Sequence, residues 1–204
     1  MTSGTTQDTL AGYGLEQFVR DVETVLDQRP SMPITIKEVS KHLFRLISDG
    51  SWLPESARAS RPDTYSRHLL HKDRQNRFVV LSLVWEPGQA TPIHDHSCWG
   101  VMGILENTLE EVGYERLDDG SKPGFAELRE LQGGQVSAGS TSYLLPPYQE
   151  IHAIGNNTER KTISIHIYGR DLDEVNVYEP HSKSVRPMRI KYFNPDCGGA
   201  DFAI

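Results

Sequence analysis

Lys161-Thr162-Ile163-Ser164-Ile165-His166-Ile167-Tyr168 reads as a β-strand with two different faces. Side chains alternate across a strand, so Ile163, Ile165 and Ile167 share one face while Thr162, Ser164, His166 and Tyr168 share the other. Isoleucine at every second position suits a pleated, buried surface. The opposite row of hydrogen-bonding groups suits either a surface strand with its polar face in water or the polar lumen of a barrel that holds a site.

Outward from this segment the same period of two runs from Tyr65 to Phe193, broken by Gly, Pro, Asn and Asp. Strands are expected at Phe78 to Trp85, Pro92 to His96, Gly100 to Leu105, Thr108 to Glu115, Ala126 to Leu131, Ser142 to Leu145, His152 to Ile154, Thr162 to Tyr168 and Arg189 to Phe193. So many short strands hide their edges in a sandwich or a closed barrel. Upstream the period is helical. Leu10, Leu15, Phe18, Val19, Val22, Val25 and Leu26 recur mostly at three- and four-residue steps, as do Ile36, Val39, Leu43, Leu46 and Ile47 before the Asp49-Gly50 stop. Residues 51–63, with Pro54 and Pro62, read as a connecting loop. The expected class is mainly β: one domain over residues 1–204, with a helical N-terminal part at about 8–50 and a β-barrel at about 65–193.

A chain of 204 residues with 37% hydrophobic content suits one domain with a real core. The formal net charge of −7 argues against nucleic acid as partner, which needs clustered Lys and Arg to displace counterions. No apolar run approaches the roughly 20 residues needed to span a bilayer, and the MTSGTTQDTL start has neither basic nor apolar signal character, so a cytoplasmic protein without membrane attachment is expected. Cys98 and Cys197 form no CxxC pair and are read as reduced thiols. A small-molecule ligand is the expected partner; the oligomeric state is left open.

His94 and His96 stand two apart in an expected strand, so both imidazoles project from one face and can grip one ion. Asp95 points away and reads as a structural hydrogen-bonding group. His152 follows the Pro146-Pro147 turn on a later strand and offers a third nitrogen. Gly88, His94 and His96 resemble the opening of the first cupin motif, and Pro146, His152 and Asn156 resemble the second. The resemblance implies a cupin-type (jelly-roll) barrel with N-terminal α-helices. It departs from cupins at Gly100, four after His96, where a metal-binding Glu usually stands, which leaves three neutral histidines. Such a set serves iron, zinc and other divalent ions alike. His68, His71 and His181 have no such context.

Tyr65-Ser66-Arg67, Thr91-Pro92-Ile93-His94-Asp95-His96, His152 and Ser164-Ile165-His166-Ile167-Tyr168 together resemble the cysteine dioxygenase family of thiol dioxygenases. The likeness runs from about Tyr65 to Tyr168, preceded by two helices as in that family. It implies iron(II) (Fe2+) on His94, His96 and His152, with O2 as co-substrate. It also implies a hydrogen-bonded row Ser164, His166 and Tyr168 beside the reacting atoms, and Arg67 and Tyr65 on the carboxylate of a small thiol substrate. Arg67 stands where mercaptopropionate dioxygenases carry glutamine, which points to L-cysteine, with 3-mercaptopropionate and mercaptosuccinate as alternatives. Arg170 could receive a second carboxylate, although it also reads as a solvated strand-end residue. The cysteine that forms a thioether with the matching tyrosine in mammalian members falls at Gly100, and Cys98 is displaced, so an uncrosslinked Tyr168 is expected. The other classes kept open are a zinc or manganese cupin acting on a small acid and a non-catalytic ligand-sensing barrel.

Overall fold

The computed structural model of the chain describes residues 12–193. Helix α1 (Leu15–Asp27) buries Phe18, Val19 and Val22 on one side. Helix α2 (Met32–Leu46) buries Ile36, Val39, Leu43 and Leu46, the stripe expected from the sequence. It begins one turn before Ile36, because Pro33 lies in the first turn, where backbone N–H groups have no partner within the helix to lose. Leu10, expected in α1, lies outside the described residues. Among the described residues no helix is long and apolar enough to cross a membrane.

Twelve strands follow among the described residues: β1 (Ser66–Lys72), β2 (Val79–Trp85), β3 (Ile93–His94), β4 (Gly100–Glu106), β5 (Thr108–Arg116), β6 (Leu128–Glu130), β7 (Gly134–Ser137), β8 (Thr141–Leu144), β9 (Ile151–Gly155), β10 (Thr162–Tyr168), β11 (Glu174–Glu179) and β12 (Ser184–Arg189). They form two antiparallel sheets. One has the order β1-β2-β10-β4-β8; the other runs β12-β11-β3-β9-β5-β6, with β7 paired to β5. This is the mainly β, helix-preceded architecture expected from the sequence.

The first sheet is covered on both faces, which explains why β2 and β10 are buried along their whole length. Val80 and Val84 of β2 and Ile163, Ile165 and Ile167 of β10 pack with Phe18, Val22, Val39 and Leu43 of the helices. The alternate residues Val79, Leu81, Leu83 and Trp85, with Tyr168, turn inward and join Ile104, Leu109 and Ile154 between the sheets. Gly103 of β4 allows the helix its close approach: a Cβ there would lie 3.0 Å from Leu43 Cγ and Ile47 Cδ1.

Two expectations are corrected. Pro92 to His96 is strand only at Ile93–His94, and His96 lies beyond it, where Ser97 takes a positive φ of 50°. Arg189 to Phe193 is not a strand: β12 ends at Arg189, and the chain crosses back so that Ile190 N donates to Asp173 O (2.9 Å) and Phe193 N to Arg67 O (2.6 Å). Strands β1, β7, β11 and most of β12 were not separately expected. In β1 the polar run Ser66-Arg67-His68 hides a strand whose residues are nevertheless buried, and β12 carries Pro187, tolerated because it is the terminal strand of its sheet.

Ile165 is fully buried, whereas Phe44 on α2 is 58% exposed. Ile165→Ala is therefore expected to lower unfolding free energy by about 2–5 kcal/mol, and Phe44→Ala to change it by about 0.5 kcal/mol or less, in urea titrations. Equal losses would contradict a sheet sandwiched between helices and lumen.

Candidate metal centre

His94 of β3 pairs directly with His152 of β9 across the antiparallel ladder. Cross-strand partners on one face approach closely, and the two ring centroids are 4.8 Å apart. His96 joins them from the loop after β3, 4.6 Å from the His94 ring and 5.2 Å from His152. One nitrogen from each residue falls within 4.8 Å of the other two, and all three residues are buried. The sequence-expected triad therefore converges, although His96 reaches it by a loop and not by strand alternation.

The surroundings fix two of these imidazoles. His94 Nδ1 lies 3.0 Å from Pro92 O, which can only accept, so Nδ1 carries the proton and Nε2 the lone pair. His152 Nδ1 lies 2.7 Å from Glu111 Oε1 and donates to it, leaving a buried Nε2 with no hydrogen-bond partner. His96 stacks on the Tyr168 ring (4.7 Å, 19°), and its Nδ1 is likewise buried without a partner. Orphaned buried nitrogens are costly unless something fills them. Burial, aided by repulsion from the neighbouring histidines, pushes His94 down to about 3 and His96 well below the usual range. Neutral imidazoles with free lone pairs are what a divalent cation requires, so the residues fit a metal.

Glu111 was not singled out from the sequence. Burial works to raise its carboxyl, but hydrogen bonds from His152 and Ser142 outweigh this and hold it below its ordinary value. A carboxylate–histidine pair of this kind orients a ligand ring and raises its basicity. Its only sequence signal is a charged residue in mid-strand, a position where acids are uncommon.

Ser164, His166 and Tyr168 form the expected row on the lumen side of β10. Ser164 Oγ is 2.8 Å from His166 Nε2, and His166 Nδ1 is 3.0 Å from the Tyr168 hydroxyl. Trp85, which sequence reading missed, donates from Nε1 to Ser164 Oγ at 2.9 Å and stacks on Tyr65 (4.4 Å, 18°). Burial holds His166 neutral and raises the Tyr168 phenol far above its ordinary value. Opposite, Arg67 of β1 is 8% exposed and makes no ion pair among the described residues; its guanidinium lies 5.5 Å from the Tyr192 ring centroid.

Tyr65, Arg67, Trp85, His94, His96, His166 and Tyr168 line one cavity, together with an apolar wall that includes Leu83, Ile154, Val175, Met188 and Ile190. The outlying residues stay outside it. Asp95 is buried and structural, accepting from Tyr178 Oη (2.6 Å) and Asn176 Nδ2 (3.1 Å). His68 bonds to Ala59 O at 2.8 Å, His71 packs on Phe78, and His181 is exposed. Arg170 is exposed beyond the end of β10. Cys98 is a free, buried thiol pushed up to about 11 by burial, and Cys197 lies outside the described residues. Gly100 pairs with Tyr168 across the ladder, and a Cβ there would stand 3.3 Å from Tyr168 Cε1. That is the position from which a cysteine would meet the ring, and glycine offers no sulfur.

The fold and site define a cupin-type β-barrel with a three-histidine metal cluster. Residues 35–181 match the family described as cysteine dioxygenase type I, and the chain belongs to that family. Membership implies a thiol dioxygenase, an oxidoreductase. Solved structures with a similar course of chain include TT1209 from Thermus thermophilus (14% identity, 57% of this chain and 92% of that one, TM-score 0.43). A conserved protein with a double-stranded β-helix domain from Klebsiella pneumoniae is similar at 14% identity over 67% of this chain and 94% of that one, TM-score 0.42. An RmlC-like cupin from Methanocaldococcus jannaschii is similar at 12% identity over 55% and 87%, TM-score 0.38.

Replacing Glu111 by Ala is expected to lower metal affinity by about 10- to 100-fold in chelator competition, with Glu111→Gln falling between Ala and wild type because an amide oxygen can still accept from His152. Wild-type affinity in Glu111→Ala would show that the carboxylate has no part in holding the metal.

Proposed function

We propose that this protein is an iron(II) thiol dioxygenase that converts a small thiol monocarboxylate, L-cysteine first among them, to its sulfinic acid. His94, His96 and His152 would hold the ion. The observation that carries the reading is that His94 and His96 of the metal-ready cluster, Tyr168 and Arg67, which makes no ion pair among the described residues, line one cavity. The reaction is RSH + O2 → RSO2H: both oxygen atoms stay on sulfur, which loses four electrons to them. Iron(II), when bound, supplies the redox chemistry and a positive charge that favours the thiolate.

Arg67 binds the carboxylate. It makes no ion pair among the described residues, so an anionic ligand gains a paired, charge-assisted fork. Tyr168 positions a proton. Ser164 accepts from Trp85 and can donate to His166 Nε2; His166 Nδ1 then donates to the Tyr168 oxygen, which leaves the phenolic hydrogen free to point at the ligand. The high phenol pKa keeps that hydrogen in place. The apolar wall excludes water from the reacting sulfur.

The same cavity narrows the substrate. It holds one guanidinium, and Arg170 is exposed and not among its lining residues, which favours one carboxylate over the two of mercaptosuccinate. Its lining has no carboxylate to receive an ammonium, and this favours 3-mercaptopropionate as the second reading.

Chain loaded separately with iron(II), manganese(II) or zinc(II) is expected to consume O2 and form sulfinate with iron only, scored by oxygen electrode and mass spectrometry for each thiol. Activity with zinc, or turnover without O2, would overturn the proposal. Arg67→Gln should raise KM for carboxylate thiols by roughly 10- to 150-fold, the loss of about 1.5–3 kcal/mol. Tyr168→Phe should keep its iron but slow turnover or consume O2 without matching product; fully coupled turnover at the wild-type rate would reduce Tyr168 to a packing residue.

A further inference from the structure

From Met188 to Phe193 the chain folds back towards β1, the strand that carries Arg67. Met188 and Ile190 line the substrate cavity, whereas Tyr192 is not among its lining residues. Tyr192 lies instead beside Arg67, whose guanidinium carbon stands over its ring, 5.5 Å from the centroid. The far end of that ring is anchored. Its hydroxyl donates to Asp171 Oδ1, and Asp171 Oδ2 accepts from Lys72 Nζ at 2.7 Å. Lys72 and Arg67 both belong to β1, so the contacts run from this strand through the tyrosine and back to it. The backbone adds another tie, because Phe193 N donates to Arg67 O (2.6 Å). The Phe193 ring in turn packs near the Arg61 guanidinium (5.1 Å) and the His68 ring (5.6 Å).

We propose that Tyr192 is a positioning residue that presents the Arg67 guanidinium to the substrate carboxylate, so that the segment after β12 takes part in selecting carboxylate-bearing thiols. The inference rests on the reading of Arg67 as the carboxylate-binding group. Arg67 makes no ion pair among the described residues, and ordering a long, rotamer-rich side chain only when the ligand arrives weakens binding. A cation over an aromatic face is attracted by the quadrupole of the ring. The Tyr192 ring therefore favours one placement of the guanidinium before the ligand is present. Apparent affinity scales with the fraction of molecules that hold this competent arrangement.

The hydroxyl gives tyrosine an advantage over phenylalanine here, since its bond to Asp171 fixes where the ring lies. Burial and that same bond push the phenol above its ordinary value, so it stays neutral and keeps donating. Tyr192 also packs against the core between the sheets. A test must therefore separate positioning of Arg67 from packing alone.

Binding of L-cysteine and 3-mercaptopropionate to the iron(II)-loaded full chain, followed by titration calorimetry without O2, makes this separation. Tyr192→Leu, which keeps apolar bulk but has no aromatic face, is expected to weaken binding of both thiols by roughly 2- to 30-fold, and Tyr192→Ala likewise. Tyr192→Phe, which keeps the face, should recover most of the affinity. In an Arg67→Gln background the Tyr192→Leu change should add less than 2-fold, because the cation it positions is gone. An equal loss in both backgrounds, or wild-type affinity in Tyr192→Leu, would overturn the positioning role and leave Arg67 as the carboxylate-binding group. Wild-type affinity in Arg67→Gln would overturn the carboxylate reading itself, and with it the role given to Tyr192.

Discussion

A strand buried on both faces has no water to satisfy its polar side chains, and β10 meets this constraint with a closed hydrogen-bonded row. Its isoleucines face the helices. Its Ser164, His166 and Tyr168 face the lumen, and with Trp85 from the neighbouring strand they satisfy one another in sequence. Because every link has a single good geometry, the Tyr168 hydroxyl is held where it lies by the packing of the first sheet against α1 and α2. The candidate site and the core are in this sense one object: the isoleucine stripe that anchors β10 also aims its polar row.

The second sheet supplies the complementary half. Direct pairing of His94 with His152 brings two imidazoles together, and Glu111 on the adjacent strand β5 orients one of them. Burial keeps His94 and His96 neutral, and neutral ligands do not offset the charge of an ion bound among them. Across the cavity Arg67 is buried and makes no ion pair among the described residues. A site with a cation on one side, room for a second beside the histidines, and a phenol that stays protonated is electrostatically prepared for an anionic ligand that bears a soft donor atom.

The barrel interior is polar at two places, and the two are wired differently. The Ser164-His166-Tyr168 row ends in a hydroxyl at the substrate cavity, whereas Glu111, Ser142 and His152 of the second row border a different pocket, which Gln132 and Gln149 also line. Gly100 lies between them, opposite Tyr168. The absence of a side chain there leaves no sulfur to meet the tyrosine ring.

Much of the site was legible in the sequence because its residues lie in short local patterns: His94 and His96 two apart, Tyr65 and Arg67 two apart, and Ser164, His166 and Tyr168 on alternate positions of one strand. Period two alone assigned the faces of β10, and helical spacing alone assigned the buried stripe of α2. Where local pattern and burial part company, the sequence was silent or misled. Strand β1 is buried but polar, and the segment after Arg189 alternates like a strand yet crosses the barrel mouth to bond Arg67. His96 reaches the centre through a loop that no periodicity describes. Glu111 and Trp85 stand far along the chain from the groups they bind, and only strand pairing brings them there. Side-chain periodicity is a local property and could be read directly; hydrogen-bond partners and cavities depend on register between distant strands, which tertiary packing alone decides.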